Sequence, residues 1–178
     1  MKFSLFGGKK SDSSNEARAA QEAHAAQEVA PGTQLHFDPN LIKRFKGHHA
    51  VLVDLVGKIR SSAATADYPQ TTKFIQKFKM LLNEHLLEEN IRLYTYLTYC
   101  LKENPEGDEL MHEMRTEMGA IGRTVTRFIG HYLEHGVDAR NRDKFVAELD
   151  DITAALADRI EREERSLYTM YLPPSMID

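Results

Sequence analysis

Two similar stretches decide the fold of this chain: LLNEHLLEENIRLYTYL, residues 81–97, and LADRIEREERSLYTMYL, residues 156–172. In the first stretch His85 precedes Glu89 by four residues, and in the second Arg159 stands where the histidine would be. Residues four apart lie on the same face of an α-helix. The two stretches therefore predict a pair of matched helices that direct polar side chains to one side, with arginine replacing histidine in the second.

The rest of the chain from Asp38 onward also has helical periodicity. Apolar residues recur at steps of three and four, and no stretch alternates for long as a strand would. Proline and glycine mark the breaks, as at 104–107 and 173–174. Four helices joined by short links favour an all-α fold, an antiparallel up-down-up-down four-helix bundle. The predicted helices cover about 38–61, 70–102, 107–135 and 142–171.

The predicted domains are a polar tail at 1–37, flexible or partly helical, and the bundle at 38–174. Residues 7–34 include almost no large apolar side chain, so they cannot bury a core face. A helix over about 14–29, ended by Pro31-Gly32, is the expected structure there. Weak contact of the N-terminus with a membrane surface is the alternative for the first residues, through Phe3, Leu5 and Phe6.

Composition excludes several classes of function. The 178 residues carry a net charge of −4, which gives no support for binding nucleic acid. The single cysteine, Cys100, excludes an internal disulfide and fits a reducing, cytoplasmic compartment. No apolar run is long enough to span a membrane. No Gly-rich phosphate loop or Ser-His-Asp pattern is evident, so we do not expect an enzyme.

In a helix bundle, the number of residues between a side chain and the nearest turn gives its position along the bundle axis, because each helical residue rises about 1.5 Å. Counting residues from each turn places His49, His85, Met118 and Arg159 near one layer of the core. Glu89, four residues after His85, falls one turn further along the same helix face, and Glu163 does so after Arg159. Periodicity does not decide whether His48 or His49 faces the core.

Three other histidines are predicted to lie outside this layer. His131 and His135 are separated from Met118 by roughly 20–25 Å along the helix axis. Both lie near the end of their helix, where a histidine interacts favourably with the helix dipole. His112 is expected at the surface.

These features make the chain resemble the hemerythrin-like family, the HHE cation-binding domains. Members are four-helix bundles that hold a non-haem di-iron centre, with His-x-x-x-Glu followed by a Leu-Tyr-like pair on the second and fourth helices. The resemblance covers about 38–172. It implies non-haem iron as the cofactor, and these candidate metal ligands: His48, His49, His85, Glu89 and Glu163.

Two residues depart from the family pattern at one height. Met118 stands where the third helix would carry a histidine ligand, and its soft thioether suits a carboxylate-rich iron site poorly. Arg159 stays protonated and cannot ligate a metal. Three arrangements remain open. The reduced set could bind one metal ion; Arg159 could replace the metal between Glu89 and Glu163; or the charged side chains could simply face solvent.

A degraded metal site favours a regulatory function through protein binding. Residues 144–171 also resemble, more weakly, the regulator of sigma D family, which implies a sigma factor or transcription-linked partner in a bacterial cytoplasm. Tyr94, Tyr96 and Tyr99 are candidate partner-binding residues, with packing at the bundle end as the alternative. The alternative function is a sensor of oxygen or redox state that binds non-haem iron or another divalent metal through the reduced ligand set.

Overall fold

The computed structural model describes residues 10–177, and it describes side chains for residues 14–177. All regular structure in this part of the chain is helical, apart from one isolated β-bridge, so the all-α prediction is confirmed. Phe3, Leu5 and Phe6 lie outside the described residues. The α-helices are α1 (Lys10–Ala25), α2 (Leu41–Ala64), α3 (Tyr68–Glu88), α4 (Thr95–Cys100), α5 (Pro105–His135) and α6 (Arg142–Arg162).

Four long helical columns form the bundle. The second column is α3 and α4 together, and each column packs against two neighbours, in the cyclic order α2, α3, α5 and α6. Local signals set the turns between them. The Asp67 side chain accepts a hydrogen bond from the backbone N–H of Gln70, and Asn104 accepts one from Gly107. These caps satisfy N–H groups that the first helical turn leaves free.

Two predicted helices contain an unpredicted π-helical segment. The segment Glu89–Tyr94 joins α3 to α4, and the segment Glu163–Leu167 follows α6 and leads into a 3₁₀ turn at Tyr168–Met170. A π-helical turn inserts one extra residue relative to the α-helix. Both segments begin at the glutamate of the matched stretch, so the sequence similarity extends to the backbone.

The core consists of two apolar clusters with a polar layer between them. One cluster fills the end of the bundle near the α2–α3 turn, with Leu55, Phe78 and Phe145 among its members. The other fills the opposite end and is rich in tyrosine. Ile91 is 52% exposed although it is apolar, because the buried face of this column runs in steps of four through Glu89.

The segment before α2 packs on the tyrosine-rich end. Helix α1 ends at Ala25, earlier than predicted, because the chain then turns back through Gly32 (φ 72°) and forms a bridge between Val29 and His36. Ala30 is fully buried, and the ring of Phe37 stacks on Tyr171 with a centroid distance of 4.9 Å. The domain boundary before residue 38 stays a prediction.

Membrane crossing requires a long apolar helix, and none of the helices in the described part of the chain meets that requirement.

Candidate metal centre

The polar layer contains five buried ionisable side chains. Four of them come from the two matched stretches and one from α2, and each is at most 3% exposed. Burial of this kind rules out the arrangement in which these charges face solvent. A charge taken out of water must be paired or must coordinate a metal. The five residues are His49, His85, Glu89, Arg159 and Glu163.

Three of these side chains converge on one point. His49 Nε2 lies 3.2 Å from His85 Nε2 and 3.3 Å from Glu163 Oε2. One ligand atom from each residue lies within 4.8 Å of the other two. Neighbouring donors on one tetrahedral ion, with bonds of about 2.0–2.1 Å, are separated by about 3.3 Å. The two separations from His49 Nε2 therefore match those of ligands on a single divalent ion.

The other ring nitrogen of His49 has a fixed partner. Its Nδ1 lies 3.0 Å from Glu164 Oε1, and Lys46 Nζ contacts the second oxygen of Glu164 at 3.3 Å. A carboxylate on Nδ1 orients the imidazole so that Nε2 points into the layer. The same carboxylate–imidazole arrangement orients metal-binding histidines in general and makes them more basic.

Arg159 occupies the other side of the Glu163 carboxylate. Its Nη2 lies 2.8 Å from Glu163 Oε1, which makes an ion pair, and donates a hydrogen bond to the Tyr94 hydroxyl at 2.6 Å. Glu163 thus bridges His49 and a guanidinium. One of the three open arrangements put Arg159 between Glu89 and Glu163; Arg159 does pair with Glu163, but its second partner is Tyr94 and not Glu89. Glu89 receives its hydrogen bond from the hydroxyl of Tyr168, at 3.3 Å.

The two tyrosines occupy equivalent positions. Tyr94 follows His85 by nine residues and Tyr168 follows Arg159 by nine. Each π-helical segment brings its tyrosine into the layer, where the hydroxyl contacts the opposite matched stretch. Tyr168 also lies 3.3 Å from His49 Nε2. The hydrogen bonds of the layer therefore have an approximate two-fold pattern.

The surface role predicted for the tyrosines needs correction. Tyr94 and Tyr96 are buried, and the Tyr96 hydroxyl donates to the carbonyl of Leu172 at 2.7 Å. Both belong to the tyrosine-rich cluster, so for these two residues the structure favours the alternative, packing at the bundle end. Tyr99 is 42% exposed, so for this residue partner binding stays a prediction.

Met118 lies at the predicted height. It borders an apolar cavity of about 110 Å³ that also touches His49, His85 and Arg159. The thioether thus reaches the place from which a helix α5 ligand would approach. Among the described residues, the cluster of possible metal donors includes none from α5. The α5 carboxylate next to Met118, that of Glu117, instead lies 3.8 Å from Arg159 Nη1.

Helix α2 directs its two neighbouring histidines differently. His49 is in the layer, whereas His48 is half-buried and sets its ring edge against His85 at a centroid distance of 5.7 Å. His48 Nδ1 is buried without a hydrogen-bond partner among the described residues. Its role as a ligand stays a prediction. His112, His131 and His135 are exposed and lie outside the layer.

The pKa values follow from burial and neighbouring charges. Burial, with His49, His48 and Arg159 nearby, lowers the pKa of His85 to about 3. Burial, reinforced by Glu163, raises the pKa of Glu89 to about 8. Burial opposes protonation of His49, but Glu163 and Glu164 outweigh it and raise the pKa of that imidazole. His85 is therefore a neutral imidazole at pH 7, the form that binds a metal.

The donor set suits one ion better than two. A guanidinium holds the second oxygen of Glu163, Met118 replaces a helix α5 ligand, and Glu89 is engaged by Tyr168. His85 Nδ1 is buried without a hydrogen-bond partner among the described residues, and its Nε2 faces His49 Nε2 at 3.2 Å. The layer fits a mononuclear centre of two histidines and one carboxylate.

Two residues of the layer did not emerge from the analysis of spacing, Glu164 and Tyr168, and spacing did not indicate the contact of Tyr94 with Arg159. Tyr94 and Tyr168 carried a signal, because each ends the Leu-Tyr pair of a matched stretch. In an uninterrupted α-helix, a residue nine positions after His85 or Arg159 would lie on the opposite face from that residue and from the glutamate four positions after it. The π-helical turns change this phase, so helical spacing could not place the two tyrosines in the layer.

Comparison with known proteins identifies the family. Searches of the curated proteins and of the solved structures return no match. The sequence model of one protein family, the hemerythrin HHE cation binding domain, matches residues 40–171. This region contains all four columns of the bundle and every residue of the polar layer. The chain belongs to the hemerythrin HHE cation-binding family.

Proposed function

We propose that this protein binds a single divalent metal ion, with iron as the family suggests, through His49, His85 and Glu163. The observation that carries the proposal is the convergence of their donor atoms within 4.8 Å in a buried layer. Arg159 takes the place of a second ion by binding the outer oxygen of Glu163. The charge of the guanidinium lowers affinity for a dication but leaves three ligands in place.

An iron ion in this layer would supply a one-electron redox couple or a Lewis acid. The residues around it control its surroundings. Glu164 orients His49, and Tyr168 keeps a hydroxyl near both His49 and Glu89. Apolar side chains of the adjoining cavity, such as Leu82 and Leu156, limit access of water. A buried, redox-active ion with few ligands suits a sensor of oxygen or redox state.

We infer further that the output is a protein contact in a bacterial cytoplasm and not catalysis. Tyr99 and Leu172 lie exposed at the tyrosine-rich end of the bundle, where aromatic and apolar side chains could anchor a partner. The resemblance of residues 144–171 to the regulator of sigma D family favours a sigma factor. Affinity capture from a bacterial lysate with wild-type protein and Tyr99→Ala tests this. Recovery of a sigma factor by wild type alone supports it, and equal or no recovery contradicts it.

Metal content tests the proposed centre. Protein expressed with added iron and zinc and purified without chelator should contain close to one ion per chain. His85→Ala should lose most of it, because one of three ligands is removed. His131→Ala is the matched control, since that histidine is exposed outside the layer. Metal per chain is measured by plasma emission spectroscopy.

The variant Arg159→His distinguishes a site that binds one metal ion from a site that no longer binds metal. The substitution removes a fixed positive charge and offers an imidazole, so metal content or affinity should rise. Metal-free wild-type protein, with no gain in Arg159→His, would contradict the proposed centre. Wild-type protein with two ions per chain would contradict the role given to Arg159.

A further inference from the structure

A second concave site lies between α3 and α5. This groove of about 650 Å³ begins at the polar layer, where Glu89 and Met118 form its inner end, and it opens to solvent along α5. Its size falls in the range of small-molecule sites. Residues that line the groove, beyond these two, are Leu86, Asn90, Tyr94, Arg115, Gly119, Gly122, Arg123, Thr126 and Arg127.

The arginines of the groove differ from all the others in the described part of the chain. Nine of the twelve arginines have a carboxylate oxygen within 4.0 Å. The remaining three, Arg115, Arg123 and Arg127, have no such partner among the described residues, and all three line this groove. In a chain of net charge −4, unpaired arginines gathered in one concavity indicate an anionic ligand.

The three side chains are arranged along one side of α5. Arg123 and Arg127 are one helical turn apart and so lie on the same helix face. Arg115 lies two turns before Arg123, about 12 Å along the axis. Its guanidinium covers the Tyr94 ring at 5.0 Å, and its Nη2 donates to Asn90 Oδ1 at 3.3 Å. One arginine is therefore held in place, and two others reach into the open part of the groove.

The floor of the groove provides room for an organic group. Gly119 and Gly122 leave the surface of α5 without side chains here, and a Cβ at Gly122 would meet nothing within 4 Å. Leu86 and Met118 add an apolar base. Arginine pairs with phosphate through two parallel hydrogen bonds, which no other side chain matches. Apolar base and basic rim together suit a phosphate ester with an organic body.

We propose that this groove binds a small soluble organic phosphate, with Arg123 and Arg127 on the phosphate and Arg115 at the inner end. A phospholipid headgroup has the same chemistry but is a poorer fit. The acidic balance of the whole chain opposes the close approach of an extended anionic bilayer more than that of a small phosphate. The only acidic residue that lines the groove, Glu89, is buried at its inner end.

Calorimetric titration of chelator-treated protein with adenosine monophosphate tests the proposal. We expect saturable binding at low ionic strength with a Kd below about 1 mM, and at least tenfold weaker binding in Arg123→Gln/Arg127→Gln. The matched control is Arg60→Gln/Arg140→Gln, which changes the net charge equally but removes exposed arginines that already have carboxylate partners. It should bind like wild type. Circular dichroism checks that each variant is folded.

Two further experiments distinguish binding in this groove from metal binding at the triad and from binding to a lipid surface. His85→Ala should keep the binding, because the groove lies outside the metal triad, so failure of the metal proposal and failure of this one are distinguishable. Vesicles of phosphatidic acid test the lipid source by co-sedimentation. The proposal is overturned by absence of saturable binding at millimolar nucleotide, by equal loss in the control variant, or by binding to vesicles alone.

Discussion

At the scale of single residues, Glu89 and Glu163 are equivalent in sequence but not in environment. Each follows its partner by four residues and begins a π-helical segment. Glu163 is paired with Arg159 at 2.8 Å, whereas Glu89 has only a hydroxyl donor at 3.3 Å. Burial without a cation in contact is why the pKa of Glu89 rises to about 8. The asymmetry follows from one substitution, arginine in place of histidine.

This raised pKa predicts a pH dependence of stability in the metal-free protein. An unfolded glutamate has lost its proton above about pH 4.5, while folded Glu89 keeps it up to about pH 8. The folded state binds more protons in this window, so the free energy of unfolding falls as pH rises, with a limiting slope of about 1.4 kcal/mol per pH unit. Glu89→Gln should remove this contribution and be more stable than wild type at pH 8.

Urea unfolding between pH 5 and pH 9, with chelator present, measures the difference between the two proteins. His49 also titrates, but it contributes to wild type and variant alike. Glu84→Gln, an exposed position on α3, should follow the wild-type curve. A Glu89→Gln curve parallel to that of wild type would contradict the assigned pKa.

At the scale of elements, each π-helical segment sets the rotation between two buried parts of one column, the part in the polar layer and the part in the tyrosine-rich core. Before the first segment, α3 places His85 in the polar layer; at the end of the segment, Leu93 and Tyr94 join the tyrosine-rich core. The extra residue of a π-helical turn corrects the helix phase between these surfaces. The same correction occurs after Arg159, where Leu167 and Tyr168 take the equivalent places.

Deletion of Ile91 tests the role of the extra residue. The deletion would restore α-helical phase and rotate either the polar layer or the tyrosine-rich core by about 100°, at a cost like that of losing a large core side chain, about 3–5 kcal/mol. Urea unfolding measures the loss. Ile91→Ala, which keeps the residue count and changes an exposed side chain, should stay within about 0.5 kcal/mol of wild type. Equal stability of the deletion variant would show that the segment is dispensable.

At the scale of the whole molecule, the bundle is closed at one end by residues outside its four columns. Ala30 and Phe37 from the segment before α2 pack with Tyr96 and Tyr171 of the tyrosine-rich cluster. The Tyr171 hydroxyl also accepts a hydrogen bond from the backbone N–H of Asp38, at 2.9 Å. The folded unit therefore begins before the first column, although composition alone makes this segment resemble a tail.

Phe37→Ala should destabilise the protein by about 2 kcal/mol, less than the 3–5 kcal/mol of a fully buried phenylalanine, because the ring is half-buried. Deletion of residues 1–25 should change stability little, since the α1 side chains from residue 14 to residue 24 are exposed. Chemical unfolding of both variants measures the two effects. A larger loss on deletion than on substitution would contradict this extent of the folded unit.

Much of this organisation was predictable from short-range patterns. Apolar periodicity and breaks such as the one at 104–107 predicted the helices, because these signals act within one or two turns. Short links then predicted antiparallel packing, and constant helical rise predicted the common height of His49, His85, Met118 and Arg159. The family resemblance rested on the same spacing, and the match to residues 40–171 confirms it.

The amino-acid sequence by itself determined four helical columns and a polar layer at a definite height, with a methionine and an arginine at two of its positions. Only the tertiary structure decided which polar groups meet. It set Arg159 on Tyr94 and Glu163, paired Tyr168 with Glu89, and turned His49 and not His48 inward. Helical rise follows from local hydrogen bonds and is readable from spacing. Rotation about each helix axis depends on π-helical turns and on packing against the other three columns, which spacing does not encode.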